Sequence, residues 1–160
     1  MKKYQSILII LNLLILLAFF HYSVWNKEET LANGRLVLLP LAPVDPRSIM
    51  QGDYMDLRYA MAERYTDSFP EKGYYVVNLD SGVIASLVRI QPETKPLQSG
   101  EYLIKYHKTA WQHSLGAESY FFQEGQAEKF DKARFGGLRI DSQGNSILVG
   151  LYDEQRNLIK

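Results

Sequence analysis

The feature that most constrains this chain is an uncharged stretch close to its N-terminus. No charged residue occurs from Tyr4 to Asn26, and residues 7–20 are almost entirely Ile, Leu, Ala and Phe. As an α-helix rising about 1.5 Å per residue, this stretch would measure about 35 Å, enough to cross a bilayer core of ~30 Å. We therefore predict that residues 1–26 form a membrane anchor, and that the lipid bilayer is one partner of the chain.

The flanking residues predict how this helix is oriented. Lys2 and Lys3 precede the apolar stretch, and the positive-inside rule then places the N-terminus in the cytoplasm. Tyr22 and Trp25, near the other end, suit the aromatic belt at a membrane surface. We expect a single-pass protein of the cell (inner) membrane whose remaining residues lie outside the cytoplasm, as a periplasmic domain would.

A cleaved signal peptide is the alternative interpretation, since it has a similar charged head and apolar middle. Signal peptidases require small residues after the apolar core, but residues 19–25 here are mostly bulky. The sequence therefore favours an uncleaved signal anchor.

The composition excludes several classes of function. The chain has 18 basic and 18 acidic residues, and without Lys2 and Lys3 the part after residue 26 has 16 basic against 18 acidic. This balance gives no reason to expect nucleic acid or an anionic membrane surface as a partner. The chain has no cysteine, so disulfides, a thiol nucleophile and thiolate metal sites are excluded.

After a polar helix end and linker at residues 27–34, the pattern predicts one β-rich domain over residues 35–160. Alternating apolar residues and turn signals predict about six to eight strands with one short helix, a mainly β (α+β) fold. Pro40 would limit a first strand at residues 36–41 to a sheet edge. Residues 73–79 and 83–90 would form a hairpin, and residues 138–140 and 146–152 another. The helix is predicted over residues 123–133, stopped by Gly136 and Gly137.

Special residue types are most concentrated in residues 45–59. Asp45 before Pro46 should be extended, and Gly52 can take the positive φ that a turn before Asp53 requires. The pattern then alternates, with Met55, Leu57, Tyr59 and Met61 on one face and Tyr54, Asp56 and Arg58 on the other. We predict a half-buried strand with a charged outer face. Asp53 would either fix the turn or, with Arg47, belong to a recognition surface.

These residues resemble a known family. Gly52-Asp53-Tyr54, then Leu57, then Tyr59, spells the motif of the GDYXXLXY domain family, and residues 44–48, 116–134 and 138–151 look similar to the same family. The resemblance covers residues 36–151, nearly all of the chain outside the predicted anchor. It implies a bacterial, membrane-anchored protein that occurs beside or fused to polytopic membrane proteins, and it carries no catalytic assignment.

We therefore expect a non-enzymatic binding or accessory domain for a polytopic membrane partner. The resemblance and the special residue types together suggest one candidate interaction surface, with no cofactor and no metal. Its residues are Asp45, Arg47, Gly52, Asp53, Tyr54, Leu57, Tyr59, Glu118 and Tyr120.

Two alternatives stay open. An envelope hydrolase could use Ser48 with Lys105 or Lys108, as Ser-Lys peptidases do, or a Glu118-based acid, although the Ser-Met-x-Pro sequence of those peptidases is absent. A small-ligand domain would require a concave pocket lined by aromatic side chains.

A metal site has weak support. His107 and His113 could gain Glu101 or Glu118 as a third ligand, but two histidines are fewer than a catalytic zinc usually has.

Overall fold

The computed structural model describes residues 2–42, 54–63, 70–80, 82–109, 113–123 and 125–160. A long N-terminal helix leads into a curled mixed sheet of seven strands, which is accompanied by a second sheet of two strands. This confirms the predicted fold class, a mainly β domain behind an apolar helix. The described ranges contain nine strands and, after α1, two four-residue helices. These numbers exceed the predicted six to eight strands and one short helix, because several of the elements are too short to be recognised in the sequence.

The elements follow one another with short connections. The helices are α1 (Lys2–Asn33), α2 (Ala60–Glu63) and α3 (Ala127–Phe130). The strands are β1 (Arg35–Pro40), β2 (Tyr54–Asp56), β3 (Lys72–Asp80), β4 (Ile84–Gln91), β5 (Glu101–Lys108), β6 (His113–Ser114), β7 (Ser119–Phe121), β8 (Phe135–Ile140) and β9 (Ser146–Tyr152).

Helix α1 is long and apolar enough to cross a membrane, which is consistent with the predicted association with a lipid bilayer. Its large apolar side chains are exposed, from Tyr4 through Leu11 and Phe19 to Trp25. Exposed apolar surface of this extent is unfavourable in water and is what the hydrocarbon of a bilayer would cover. The helix continues through the predicted linker up to Asn33.

The junction between α1 and the sheet is a single residue, Gly34. Its amide donates to the carbonyl of Thr30 at 2.9 Å, and the Arg139 guanidinium of β8 donates to the Gly34 carbonyl at 2.7 Å. A Cβ at this position would lie 2.2 Å from the Thr30 oxygen and 3.0 Å from that of Ile140. Only glycine fits such a close approach, so α1 passes directly into β1.

The large sheet has the strand order β6-β5-β3-β4-β1-β8-β9, with β1 parallel to β4 and the other neighbours antiparallel. It curls strongly. Lys105 of β5 donates its amide to the carbonyl of Gly144, in the β8–β9 turn, at 2.8 Å. The guanidinium of Arg35 in β1 also lies 4.7 Å above the ring of Tyr102 in β5, although β3 and β4 separate these strands in the sheet.

The core lies inside this curl. Every strand of six or more residues supplies buried side chains to one core cluster, and Leu57, Tyr59 and Met61, which follow β2, belong to the same cluster. Its members include Val37, Leu39, Tyr75, Val77, Ile104, Tyr106, Leu138 and Leu151. Tyrosine and β-branched residues suit such a half-buried, pleated surface.

The β4–β5 connection is held by an ion pair. Arg89 and Glu101 form a two-point contact in which Nη2 lies 2.8 Å from Oε2, and the same Nη2 also donates to the carbonyl of Pro96 at 2.9 Å. The hydrogen bonds from Arg89 and from the Gln98 amide lower the pKa of the Glu101 carboxyl. Glu101 is therefore a structural residue at the start of β5.

The prediction that Pro40 restricts its strand to a sheet edge is wrong. Strand β1 lies inside the sheet, between β4 and β8. The backbone nitrogens of Leu38 and Pro40 face the same neighbour, β4, because residues two apart in a strand share a side. The Leu38 amide donates to the carbonyl of Val83, just before β4, at 2.7 Å. Pairing with β4 stops at that bridge, so the N–H that Pro40 lacks interrupts no ladder.

The helix predicted over residues 123–133 is shorter than expected, since α3 contains only Ala127–Phe130. Gly136 and Gly137 do not cap it. They lie inside β8, where an added Cβ would approach the rings of Tyr59 and Tyr152 at 2.9 Å and 2.3 Å. These glycines are needed for close packing of tyrosine rings on the strand, not for a helix end.

Candidate functional site

The two regions that the sequence singles out meet in the small sheet. Strand β2 pairs antiparallel with β7, so that Tyr54 faces Phe121, Met55 faces Tyr120 and Asp56 faces Ser119. More than sixty residues separate the two strands in the chain. The motif and the Glu118–Tyr120 region are therefore one structural unit.

The inner side of the motif belongs to the core, as the alternation predicted. Met55, Leu57, Tyr59 and Met61 are all buried, although the strand ends at Asp56 and Met61 lies in α2. Backbone hydrogen bonds hold this segment on both sides. The Leu57 amide donates to the Glu118 carbonyl at 2.6 Å, and the Ala42 amide donates to the Arg58 carbonyl at 2.7 Å. Leu57 and Tyr59 are thus placed as scaffold residues.

Tyr59 makes the most specific contact of the motif. Its hydroxyl donates to the carbonyl of Ala117 at 2.5 Å, and its ring lies over Gly136 of β8. Burial, and secondarily the nearby Glu118 carboxylate, raise the pKa of this hydroxyl well above its ordinary value. Tyr59 therefore stays a protonated donor that links the motif to the turn before β7.

Glu118 fixes that turn. Its carboxylate accepts a hydrogen bond from the Ser114 hydroxyl at 2.9 Å and another from the amide of Leu115. The Ser114 hydroxyl also accepts from the amide of Gly116, whose φ of +73° is one that glycine adopts readily. The carboxylate is engaged in organising residues 114–118, which is a structural role.

Tyr120 packs inward as well. Its ring meets Phe130 of α3 edge to face with centroids 5.2 Å apart, and Phe122 meets the same Phe130 ring at 5.2 Å. The small sheet is thereby joined to α3. Ser119 and Phe121 project to the opposite, exposed side, because successive side chains of a strand point to opposite faces.

Four exposed side chains remain on the outer side of this unit, and we call them the motif surface: Asp56, Arg58, Ser119 and Phe121. Phe121 is 73% exposed, which is high for an aromatic side chain in a strand. Aromatic side chains and arginine are enriched in protein-binding surfaces, and this side of the strand pair presents both. The sequence did not single out Phe121, because an isolated aromatic residue in a short apolar run more often belongs to a core.

Five of the residues singled out from the sequence, Asp45, Arg47, Ser48, Gly52 and Asp53, lie outside the described residues. Tyr54 is placed by its backbone in β2, and nothing further follows for its side chain.

The histidines do not come together as ligands. His113 is buried, with Nδ1 2.9 Å from the Tyr75 hydroxyl and its ring stacked on Tyr106 at 4.9 Å. Burial, and then the charge of Lys108, lower the pKa of His113. His107 is exposed on β5. Across the described ranges, no group of three or more His, Asp or Glu side chains is arranged to hold a metal ion.

A concave groove lies between α1 and the large sheet. This groove has a volume of about 1340 Å³ and is lined by one side of the end of α1, by β5 and by the β8–β9 turn. Leu115 and Gly116 also line it, so it adjoins the turn that Glu118 fixes. No local pattern in the sequence points to this groove, because its walls come from segments that are distant in the chain.

The fold and the site define a class: a curled β domain that continues directly from an apolar membrane-type helix and carries its signature motif on a separate strand pair. The chain belongs to the GDYXXLXY protein family, whose model matches residues 16–151. This confirms the resemblance carried by Gly52, Asp53, Tyr54, Leu57 and Tyr59. Searches of curated proteins and of solved structures give no significant match.

The role of Glu118 can be tested by its removal. Glu118→Ala leaves the Ser114 hydroxyl and the Leu115 amide without their acceptor, and we expect a loss of about 1–3 kcal/mol in the free energy of unfolding. Thermal unfolding of the full-length protein, followed by circular dichroism in detergent, would measure it. Exposed Glu154→Ala is the control. A stable Glu118→Ala protein that lost partner binding would instead assign Glu118 to recognition.

Proposed function

We propose that this protein is a non-enzymatic, membrane-anchored accessory domain that binds a polytopic membrane partner through the motif surface. In this proposal α1 spans the cell membrane with its N-terminus in the cytoplasm, and the sheet domain lies on the extracytoplasmic side.

The observation that carries the proposal is that the β2–β7 strand pair has one buried side and one exposed side. Leu57 and Tyr59 are buried and hold the strand pair in place, while Asp56, Arg58 and Phe121 are presented to the outside. A rigid strand pair with exposed aromatic and charged groups can bind another protein with little loss of conformational entropy.

The direct junction at Gly34 supports a partner within the membrane. With one residue between α1 and β1, the sheet stays close to the end of the membrane-type helix. A domain held there meets other membrane proteins at a high effective concentration, which favours binding even through a small surface.

The contacts of the candidate catalytic groups favour binding over hydrolysis. The Glu118 carboxylate is occupied by the Ser114 hydroxyl and the Leu115 amide, so it is engaged in the turn. A Ser-Lys pair needs a desolvated lysine, whereas the Lys105 side chain is exposed and that of Lys108 is only half-buried. Ser48, the hydroxyl in that hypothesis, lies outside the described residues.

Site-specific photocrosslinking in native membranes would test the proposal. A photoreactive phenylalanine analogue at Phe121 should crosslink to one polytopic membrane protein, and the same analogue at Val88, an exposed position on β4, should not. Adding Arg58→Glu should reduce the Phe121 crosslink about tenfold if the cation contributes a desolvated contact. Glu154→Lys is the matched charge control.

Two outcomes would contradict the proposal. Crosslinking from both positions equally would show contact without specificity. Absence of any crosslink from Phe121, in a membrane fraction that retains folded protein, would remove the motif surface as a docking site.

A further inference from the structure

The groove beside α1 has a regular wall. Phe19, Tyr22, Asn26, Thr30 and Asn33 line it at spacings of three or four residues, which places them on one side of the helix. The opposite wall includes Tyr102 and Tyr106 of β5. This is a concave, partly aromatic site of the kind that a small-ligand interpretation of the sequence requires.

The polarity of the groove changes along α1. Phe19 and Tyr22 belong to the uncharged stretch, whereas Lys27 follows it. The distance from Phe19 to Lys27 along the helix axis is about 12 Å, from eight residues at about 1.5 Å each. The groove therefore extends across the level where a bilayer would change from acyl chains to headgroups.

The polar part of the groove has an excess of positive charge. Four cations line it, Lys27, Arg35, Lys72 and Lys105, against two acids. All four are exposed, and none of them forms an ion pair with another described residue. Arg35 is placed over the Tyr102 ring instead.

The two acids are engaged within their own elements. Glu29 accepts a hydrogen bond from the Asn33 amide side chain at 2.7 Å. Asp141 accepts from the backbone amides of Gln143 and Asn145 at 2.8 and 2.9 Å, in the β8–β9 turn. The cations of the groove are therefore available to an anionic ligand.

We propose that this groove binds an anionic phospholipid of the leaflet in which α1 ends. Its phosphate-bearing headgroup would lie among Lys27, Arg35, Lys72 and Lys105, and its acyl chains would follow α1 past Phe19. The inference rests on the membrane anchoring that forms part of the proposed function. The near-neutral charge of the whole domain does not oppose it, because net charge averages over surfaces that the lipid never meets.

Lipid selectivity of the full-length protein in reconstituted vesicles tests this inference. The vesicles contain mostly phosphatidylcholine with a minor fraction of phosphatidylglycerol, and spin-labelled forms of each lipid report the motionally restricted population. We expect the wild type to prefer phosphatidylglycerol. In the double variant Lys72→Gln/Lys105→Gln, the ratio of phosphatidylglycerol to phosphatidylcholine binding should fall about tenfold or more, since each lysine near an anionic surface contributes substantially to binding.

The control variants separate a site from general attraction. Lys72→Arg/Lys105→Arg keeps both charges and should retain the preference. Lys129→Gln/Lys132→Gln removes the same charge from exposed lysines that do not line the groove and should also retain it. Equal loss in the Lys129/Lys132 variant would overturn the inference, because it would show surface electrostatics alone.

The remaining outcomes are distinct from failure of the proposed function. Protein that inserts into vesicles but shows no phosphatidylglycerol preference overturns the lipid site and leaves the anchored accessory domain standing. Protein that does not insert overturns the anchor, and with it both proposals. Full displacement of the lipid by soluble glycerol phosphate would show that the groove binds free phosphate compounds rather than a membrane lipid.

Discussion

Leu57→Asp should leave the sheet domain unfolded, whereas Arg58→Asp, one residue further along, should leave it folded. Leu57 is 2% exposed and belongs to the core, while Arg58 is exposed. An aspartate at position 57 would be removed from water without a partner, which costs several kcal/mol, in addition to the lost apolar contacts. This is a large part of the ~5–15 kcal/mol by which domains are typically stable.

The measurement is far-UV circular dichroism of the full-length protein in detergent, together with resistance to limited proteolysis after residue 34. The α1 signal should persist in both variants, so loss of the sheet signal is the informative change. If both variants had wild-type sheet signal and protease resistance, the assignment of the inner and outer sides of the motif would be wrong.

Tyr59→Ala should be the second most damaging change. It removes a ring of a residue that is only 2% exposed and opens a cavity against Gly136. It also leaves the Ala117 carbonyl without its hydrogen-bond donor. Loss of a buried aromatic side chain costs about 3–5 kcal/mol, and an unpaired buried acceptor about 1–3 kcal/mol. Urea unfolding of the full-length protein would measure the free-energy change.

Tyr59→Phe separates the two contributions. It keeps the ring on Gly136 and removes only the hydroxyl, so we expect a loss of about 1–3 kcal/mol. Equal destabilisation by Ala and Phe would show that the hydrogen bond to Ala117, rather than the ring packing, determines the effect. Wild-type stability of Tyr59→Ala would refute the placement of this side chain in the core.

Periodicity made much of the fold predictable. The alternation from Met55 to Tyr59 correctly separated the buried from the exposed side chains, because burial on one face of an extended segment has a period of two. Met61 is buried as well, although it lies in α2. The hairpins β3–β4 and β8–β9 were predictable for the same reason, since turn residues lie between two apolar runs. These are local signals.

The features that the sequence could not supply depend on distant contacts. Nothing local shows that β2 pairs with β7, or that β1 lies inside the sheet despite Pro40. The glycine pair at 136–137 has the local signature of a helix end, and the need for it comes from tyrosine rings elsewhere in the chain. The groove beside α1 could not be predicted from the sequence either, because three separate segments form it.

In the candidate site, too, local signals were predictable and distant contacts were not. The motif identified the family, and its alternation predicted the buried side that contains Leu57 and Tyr59. The same two residues were also candidates for the interaction surface, and their burial places them in the core instead. Glu118 was singled out without a partner, and its partners, Ser114 and Leu115, became visible only in the folded turn. Phe121, which is 73% exposed, carries no distinguishing signal in the sequence.

The single-residue junction at Gly34 has a mechanical consequence. Membrane helices change their tilt when the thickness of the surrounding bilayer changes. Only Gly34 lies between α1 and β1, and the Arg139 side chain binds the Gly34 carbonyl to β8. A change in the tilt of the helix would therefore be passed on to the sheet. In a bilayer, thinning or thickening would therefore swing the whole domain, and with it the direction in which the motif surface points.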